Sequence, residues 1–136
     1  MSGWLIDRSA AVRLQASPDA DRWSQRIDQG RVRITSLTMM QIGFSARSAY
    51  DRRQLLDGLP IVQMRVEYVT PAVEDRAVAV QGLLAERGRH RALSVPDVLL
   101  LAAAAELADL TVLHVDKDFE LIAEVTGQAM ERLRVT

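Results

Sequence analysis

Short apolar runs alternate along the chain with segments whose apolar residues recur every three to four positions. Trp4-Leu5-Ile6 is an apolar run closed by Asp7, and Arg8 to Leu14 has helical character, so the chain opens as strand, acid, helix. A second helix is predicted from Pro18 to Asp28, with Trp23 and Ile27 on one face and Gly30 as its stop. Val32, Ile34 and the β-branched Thr35 predict a second strand, with Arg31 and Arg33 alternating outward. Thr38 to Tyr50 returns to helix, and Leu37, Met40, Phe44 and Ala46 are its expected core positions. Between Asp51 and Met64 the pattern gives a short helix around Leu55-Leu56 and a break at Gly58-Leu59-Pro60, then a brief strand over Glu67 to Thr70.

The second half is more regular. Pro71 opens an amphipathic helix in which Val73, Ala77, Val80 and Leu84 fall at i, i+4, i+7 and i+11, ending at Gly88. The basic loop Arg89-His90-Arg91 leads to Ser94-Val95-Pro96-Asp97 and then to Val98, three leucines and four alanines. Ser94 is placed to cap this helix, and Pro96 has no N–H to leave unpaired in the first turn. Asp97 sets a carboxylate where the helix dipole is positive. A helix apolar on nearly every face is a buried one. Thr111 to Val115 is the best strand of the chain and runs into Asp116-Lys117-Asp118-Phe119. A helix with Phe119, Ile122 and Ala123 inward follows to Gly127, and Met130 to Val135 suits an edge strand. Alternating strands and helices predict one α/β domain over residues 1–136, its parallel sheet covered on both sides.

Composition narrows the function. The 136 residues are 49% apolar and 26% charged, with a net charge of −1, which argues against nucleic-acid binding by bulk electrostatics. Without cysteine there are no disulfides, thiolate metal sites or thiol nucleophiles, and a reducing compartment suits the chain. No apolar run approaches the roughly 20 residues needed to span a bilayer, and no secretory signal pattern is present, so a soluble cytoplasmic protein is expected. Lys117 is the only lysine among 17 basic residues. Arginine suits bidentate phosphate contacts, but codon bias is the better account of the excess, which permits an RNA partner without arguing for one.

The acids carry the candidate chemistry. Ligands of open parallel sheets bind beyond the carboxyl ends of the strands. Asp7 and Asp116 each follow a strand directly, and Asp97 opens a helix expected at the same edge. Each has a structural alternative: Ser94-x-x-Asp97 and Thr38-x-x-Gln41 fit the capping-box pattern, and Asp116 fits a helix cap. Asp7 resists that reading, because an acid between an apolar strand and an apolar helix is costly unless something binds it. Three carboxylates without cysteine make a hard-oxygen site suited to Mg²⁺ or Mn²⁺.

Four segments together resemble a known family. Leu5-Ile6-Asp7-Arg8-Ser9-Ala10, Thr38-Met39-Met40-Gln41, Val95-Pro96-Asp97 before an alanine-rich helix, and His114-Val115-Asp116-Lys117-Asp118-Phe119 are similar, in that order, to the PIN domain, and more closely to the VapC-type toxins of bacterial toxin–antitoxin pairs. The resemblance covers almost the whole chain. It implies a PIN-like three-layer α/β/α fold with a central, mainly parallel sheet, and a Mg²⁺- or Mn²⁺-dependent endoribonuclease leaving a 3′-hydroxyl and a 5′-phosphate. The expected partners are a cognate VapB-type antitoxin, an RNA substrate and a second copy of the chain. Carried over by position, Asp7, Asp97 and Asp116 match the metal cluster, with Asp118 as a supporting acid. Position 41, usually Glu in the family, is Gln41 here, which offers a neutral carbonyl oxygen where Glu offers a charged pair. Losing that charge should weaken divalent-metal binding. Arg8, Ser9, Arg89, Arg91 and Lys117 adjoin these segments and are the candidate RNA contacts, each also readable as solvated surface or, for Ser9, as a helix cap. His90 and His114 are not expected to be catalytic; a strand histidine just before the acid suits packing or hydrogen-bonded support.

Other folds with acids at strand ends fit less well. A response-regulator receiver needs an acidic pair after the first strand and a phosphoacceptor after a middle one, whereas Asp7 is single and Val69 leads into Thr70-Pro71. The haloacid-dehalogenase motif resembles Asp116-x-Asp118 but belongs near the N-terminus. The stronger alternative is a PIN-like module that, with Gln41 in place of an acid, holds antitoxin or RNA without cutting it.

Overall fold

Residues 3–136 are described by a computed structural model. Strand β1 (Trp4–Ile6) lies at the centre of a five-stranded sheet with β2 (Val32–Thr35), β3 (Arg65–Glu67), β4 (Thr111–His114) and β5 (Met130–Arg132), in the order β3-β2-β1-β4-β5. Every pairing is parallel, and Leu5 stands opposite Arg33 on one side and Val112 on the other. The mainly parallel sheet that was expected is thus parallel throughout.

Strand side chains alternate between two covering layers. Leu5 and Val112 pack with α5 (Pro71–Glu86), α6 (Asp97–Leu107) and α7 (Asp118–Thr126). Trp4, Ile6, Val32, Ile34 and Leu113 face the other way, toward α1 (Arg8–Ala11), α2 (Ala20–Asp28), α3 (Ser36–Phe44) and α4 (Ala49–Asp57). Three layers result, as the sequence pattern requires of strands apolar on both faces.

The α5–α6–α7 layer follows its periodicity closely. Thr70 accepts the Val73 amide hydrogen at 3.3 Å, Pro71 fills the first turn, and Val73, Ala77, Val80 and Leu84 are all buried. In α6 the four alanines, Ala102 to Ala105, are each at most 2% exposed, which lets its backbone approach its neighbours closely. Arg76 joins α5 to α6 through a two-pronged bond to Glu106, at 2.6 and 3.2 Å. Gly127 ends α7 in the left-handed region, at φ 71°, where a side chain would be strained.

Elsewhere the structure corrects the expectation. The helix predicted over Thr38 to Tyr50 is two helices, α3 and α4, with Ser48 capping the second. Thr35, the last residue of β2, caps α3 by accepting from the Thr38 amide, so Thr38-x-x-Gln41 is not a capping box. Met40 and Phe44 are exposed, Phe44 at 92%, and Thr38 and Ile42 are buried in their place. Apolar residues surround α3, so spacing alone singles out no face; the cap at Thr35 sets which side turns inward. Strand β3 ends at Glu67, where Arg33 bonds to it at 2.7 Å, instead of continuing to Thr70, which already serves α5. Ser94 does not cap α6: Pro96 holds that position with no side-chain bond.

At the amino end of the sheet, Trp4 meets Trp23 edge-on with ring centroids 5.0 Å apart. The Arg26 guanidinium lies 4.5 and 4.4 Å from the two ring centres, and the Trp4 indole N–H donates to Glu131 at 2.9 Å. Cation–π and edge-to-face contacts of this kind fix the rings in orientation as well as burying them.

Candidate functional site

In this strand order the chain leaves β1 toward β2 on one side and returns as β4 on the other. The crevice beyond the carboxyl ends of β1 and β4 is therefore the place where such a sheet binds ligands. Asp7 stands there, 7% exposed, its own N–H donating to the Leu113 carbonyl at 2.9 Å. One of its oxygens, Oδ2, accepts from the Ser9 amide at 2.9 Å and from the Ser9 hydroxyl at 2.6 Å, so Asp7 also caps α1. The Ser9 oxygen in turn accepts from the Val115 amide at 2.9 Å. A single hydroxyl thus stitches the ends of β1 and β4 together and aims the Asp7 carboxylate.

Beyond β4 a chain of hydrogen bonds runs through the second group of acids. His114, 1% exposed, accepts the Asp116 amide hydrogen on Nδ1 at 3.2 Å. Burial, with Arg132 nearby, holds its imidazole below the usual histidine range, so near neutral pH the ring is uncharged and its Nδ1 lone pair is available. Asp116 Oδ1 accepts from the Asp118 amide at 3.0 Å, which makes Asp116 a turn-forming acid at the start of α7. Asp118 is 4% exposed, and its Oδ2 accepts from both the amide and the hydroxyl of Ser94, at 3.0 and 2.8 Å.

Asp97 begins α6 and is partly exposed. The Gln41 amide Nε2 donates to its Oδ2 at 3.3 Å. Both residues line a groove of about 370 Å³ with Arg8, Leu37, Met40, Phe44 and Ser45. Arg89, Arg91 and Lys117 are exposed, the first preceding and the second within the His90–Ala92 turn, and the third opening α7.

The donors are chemically suited to a hard divalent cation, being carboxylates and one amide with no sulfur. Among the described residues, however, no three Asp, Glu, His or Cys side chains come close enough to hold a metal by themselves. The cluster expected of Asp7, Asp97, Asp116 and Asp118 is thus not drawn together: one oxygen each of Asp7, Asp97 and Asp118 is taken up by Ser9, Gln41 and Ser94. Gln41 turns its N–H₂ group toward Asp97, where a metal ligand would turn its oxygen.

Ser94 on Asp118 escapes the sequence reading, whereas the His114 ring on the Asp116 amide is the hydrogen-bonded support that a strand histidine just before an acid suggests. No periodicity or motif signals the first, since the partners lie on separate segments brought together only by packing.

Comparisons with known proteins identify the family and agree with the fold. The PIN domain family matches residues 4–125. Ribonuclease VapC2 of Mycobacterium tuberculosis is 57% identical over 130 residues, spanning 96% of this chain and 92% of that protein. Ribonuclease VapC21 of the same organism is 37% identical, spanning 94% and 91%. In fold, the chain resembles VapBC2 from Rickettsia felis bound to a DNA fragment from its promoter, with TM-score 0.76, 12% identity, and 95% and 97% of the two chains covered. It also resembles VapBC-5 from M. tuberculosis, with TM-score 0.67, 24% identity, and 99% and 100% covered. With 122 consecutive positions matched and relatives alike over nearly their full length, the chain belongs to the PIN domain family.

Proposed function

We propose that this chain is the endoribonuclease toxin of a type II toxin–antitoxin pair, cutting RNA phosphodiesters with the help of Mg²⁺ or Mn²⁺. The observation that carries the reading is the placing of Asp7 at the β1–β4 crevice, held by Ser9, in a chain 57% identical to a protein named a ribonuclease. Asp7 and Asp97 would hold the ion, with Asp116 orienting its waters. An ion held there would supply charge neutralisation at a phosphate oxygen and a water of lowered pKa for in-line attack. Arg8, beside Asp97, is placed to take a neighbouring phosphate, and Arg89, Arg91 and Lys117 extend the cationic rim. Ser9 acts on Asp7, its hydroxyl being committed there and to Val115.

The partners follow from exposed apolar surface. A groove of about 340 Å³ lined by Val12, Ile42, Leu55 and Leu59 supports a VapB-type antitoxin as the bound protein. Met40, Phe44 and Val78, exposed on α3 and α5, support self-association as a homodimer.

Gln41 favours a second reading, a PIN module that binds without cutting, because its amide already occupies Asp97. Mn²⁺ calorimetry and RNA cleavage on the chain, Gln41→Glu and Asp97→Asn separate the two. The enzyme reading expects Gln41→Glu to bind Mn²⁺ at least tenfold more tightly and to cut faster. It expects Asp97→Asn to bind none while its thermal stability is kept or raised, whereas a large loss of stability would mark Asp97 as a structural cap of α6. If neither the chain nor Gln41→Glu binds Mn²⁺ or cuts RNA, the module reading replaces it.

A further inference from the structure

Asp118 is the most enclosed acid of the site, and its bonds run to an unexpected place. Its Oδ2 accepts both the backbone N–H and the hydroxyl of Ser94, three residues before Asp97. The helix that Asp97 begins has no side-chain cap of its own. Helix N-termini without such a partner fray readily, and the position of their first residue is then set by whatever holds the preceding segment. Here that segment, from Arg89 to Pro96, is exposed along nearly all its length, with Leu93 half-buried. The Arg89 amide bonds back to Leu84 and Leu93 packs on the core, and at the α6 end the two bonds to Asp118 fasten the segment to the rest of the molecule. Asp118 is in turn held through its own amide by Asp116, and the Asp116 amide is held by the buried His114 ring. A continuous series of bonds therefore leads from the core at the end of β4 to the start of α6.

We propose that Asp118 is a positioning residue and not a metal ligand: it latches Ser94 so that Asp97 and the basic turn at Arg89–Arg91 are presented to the crevice in one arrangement. The proposal rests on the reading of Asp97 as a functional acid. The latch needs an acceptor oxygen at position 118, whereas a metal ligand needs its charge, and this difference makes the two roles separable. Asp118→Asn keeps an acceptor for both Ser94 donors. Asp118→Ala removes it, and Ser94→Ala removes the stronger donor from a side chain that is itself exposed, so that variant folds.

The test is a double-mutant cycle on the full chain, read by hydrogen exchange of the amides from 92 to 99 and by Mn²⁺ calorimetry. Ser94→Ala and Asp118→Ala should each speed exchange in this segment roughly tenfold, and the double variant should go little further, as expected of two ends of one interaction. Ser94→Thr, which keeps the hydroxyl, should exchange like the parent. Asp118→Asn should exchange and bind Mn²⁺ within about twofold of the parent. The proposal is overturned if Asp118→Asn loses Mn²⁺ binding while Ser94→Ala keeps it, or if both alanine variants exchange like the parent. A parent that binds no Mn²⁺ would count against the metal reading alone, and the exchange cycle would still decide the latch.

Discussion

The chain has two phenylalanines, one on each side of the sheet, and they differ in every structural respect. Phe119 is fully buried in the α5–α6–α7 layer, its ring 5.2 Å from that of His114. Phe44 ends α3 in the opposite layer and is 92% exposed. The first layer is built from helices with one apolar face or from a helix small enough to bury whole. The second contains α3, apolar all round, whose orientation is decided by hydrogen bonds at Thr35. Burial in one layer follows from hydrophobic periodicity, and in the other from a cap.

Substitutions can break this contrast, and the largest effect belongs to the buried ring. Phe119→Ala should destabilise the fold by about 3–5 kcal/mol in urea denaturation, through lost burial and the cavity left behind. Ala104→Leu should cost about 1–3 kcal/mol, because α6 packs with no room for a larger side chain; no loss would mean that the helix can shift away from the sheet. Thr35→Ala removes the cap that orients α3 and should cost about 1 kcal/mol by the same measurement. Phe44→Ala should change stability by no more than about 0.5 kcal/mol, and a larger loss would show the ring covered by a second copy under the conditions used.

A pH series sharpens the comparison on the Phe119 side. Burial lowers the His114 pKa in the folded state, so the unfolded chain takes up a proton that the folded one refuses. Stability should therefore be at its plateau above the unfolded histidine value of about 6.5 and fall as pH drops below it toward the folded value. The urea midpoint measured from pH 7.5 to 5.5 should decline in the parent and less in His114→Asn, which keeps an acceptor for the Asp116 amide.

The contrast also explains what could be read from residues alone. Strands β1, β2 and β4 and helices α2, α5, α6 and α7 are legible because their apolar spacing admits one orientation or total burial. Met40 and Phe44 were assigned to the core because nothing in the spacing of α3 distinguishes them from Thr38 and Ile42. At the site, Asp7, Asp97 and Asp116 were legible as acids at element boundaries, where parallel topology brings boundaries to one edge. The partners those acids have chosen were not legible: Gln41 on Asp97 joins α3 to α6, and Ser94 on Asp118 joins a loop to α7. Such pairs depend on a few ångströms of packing, which a local pattern does not encode.

The central position of β1 has a consequence for how the chain comes into being. Its first strand pairs on one side with β2, made soon after, and on the other with β4, which leaves the ribosome only when Thr111 to His114 do. Until then β1 is an open edge on that side, and Ser9 lacks the Val115 amide that fixes it. Asp116 follows β4, and Asp97 precedes that strand by about the length of α6. A chain cut short before Thr111 therefore carries Asp7 without its β4 neighbour, and whatever chemistry the assembled edge performs waits on β4.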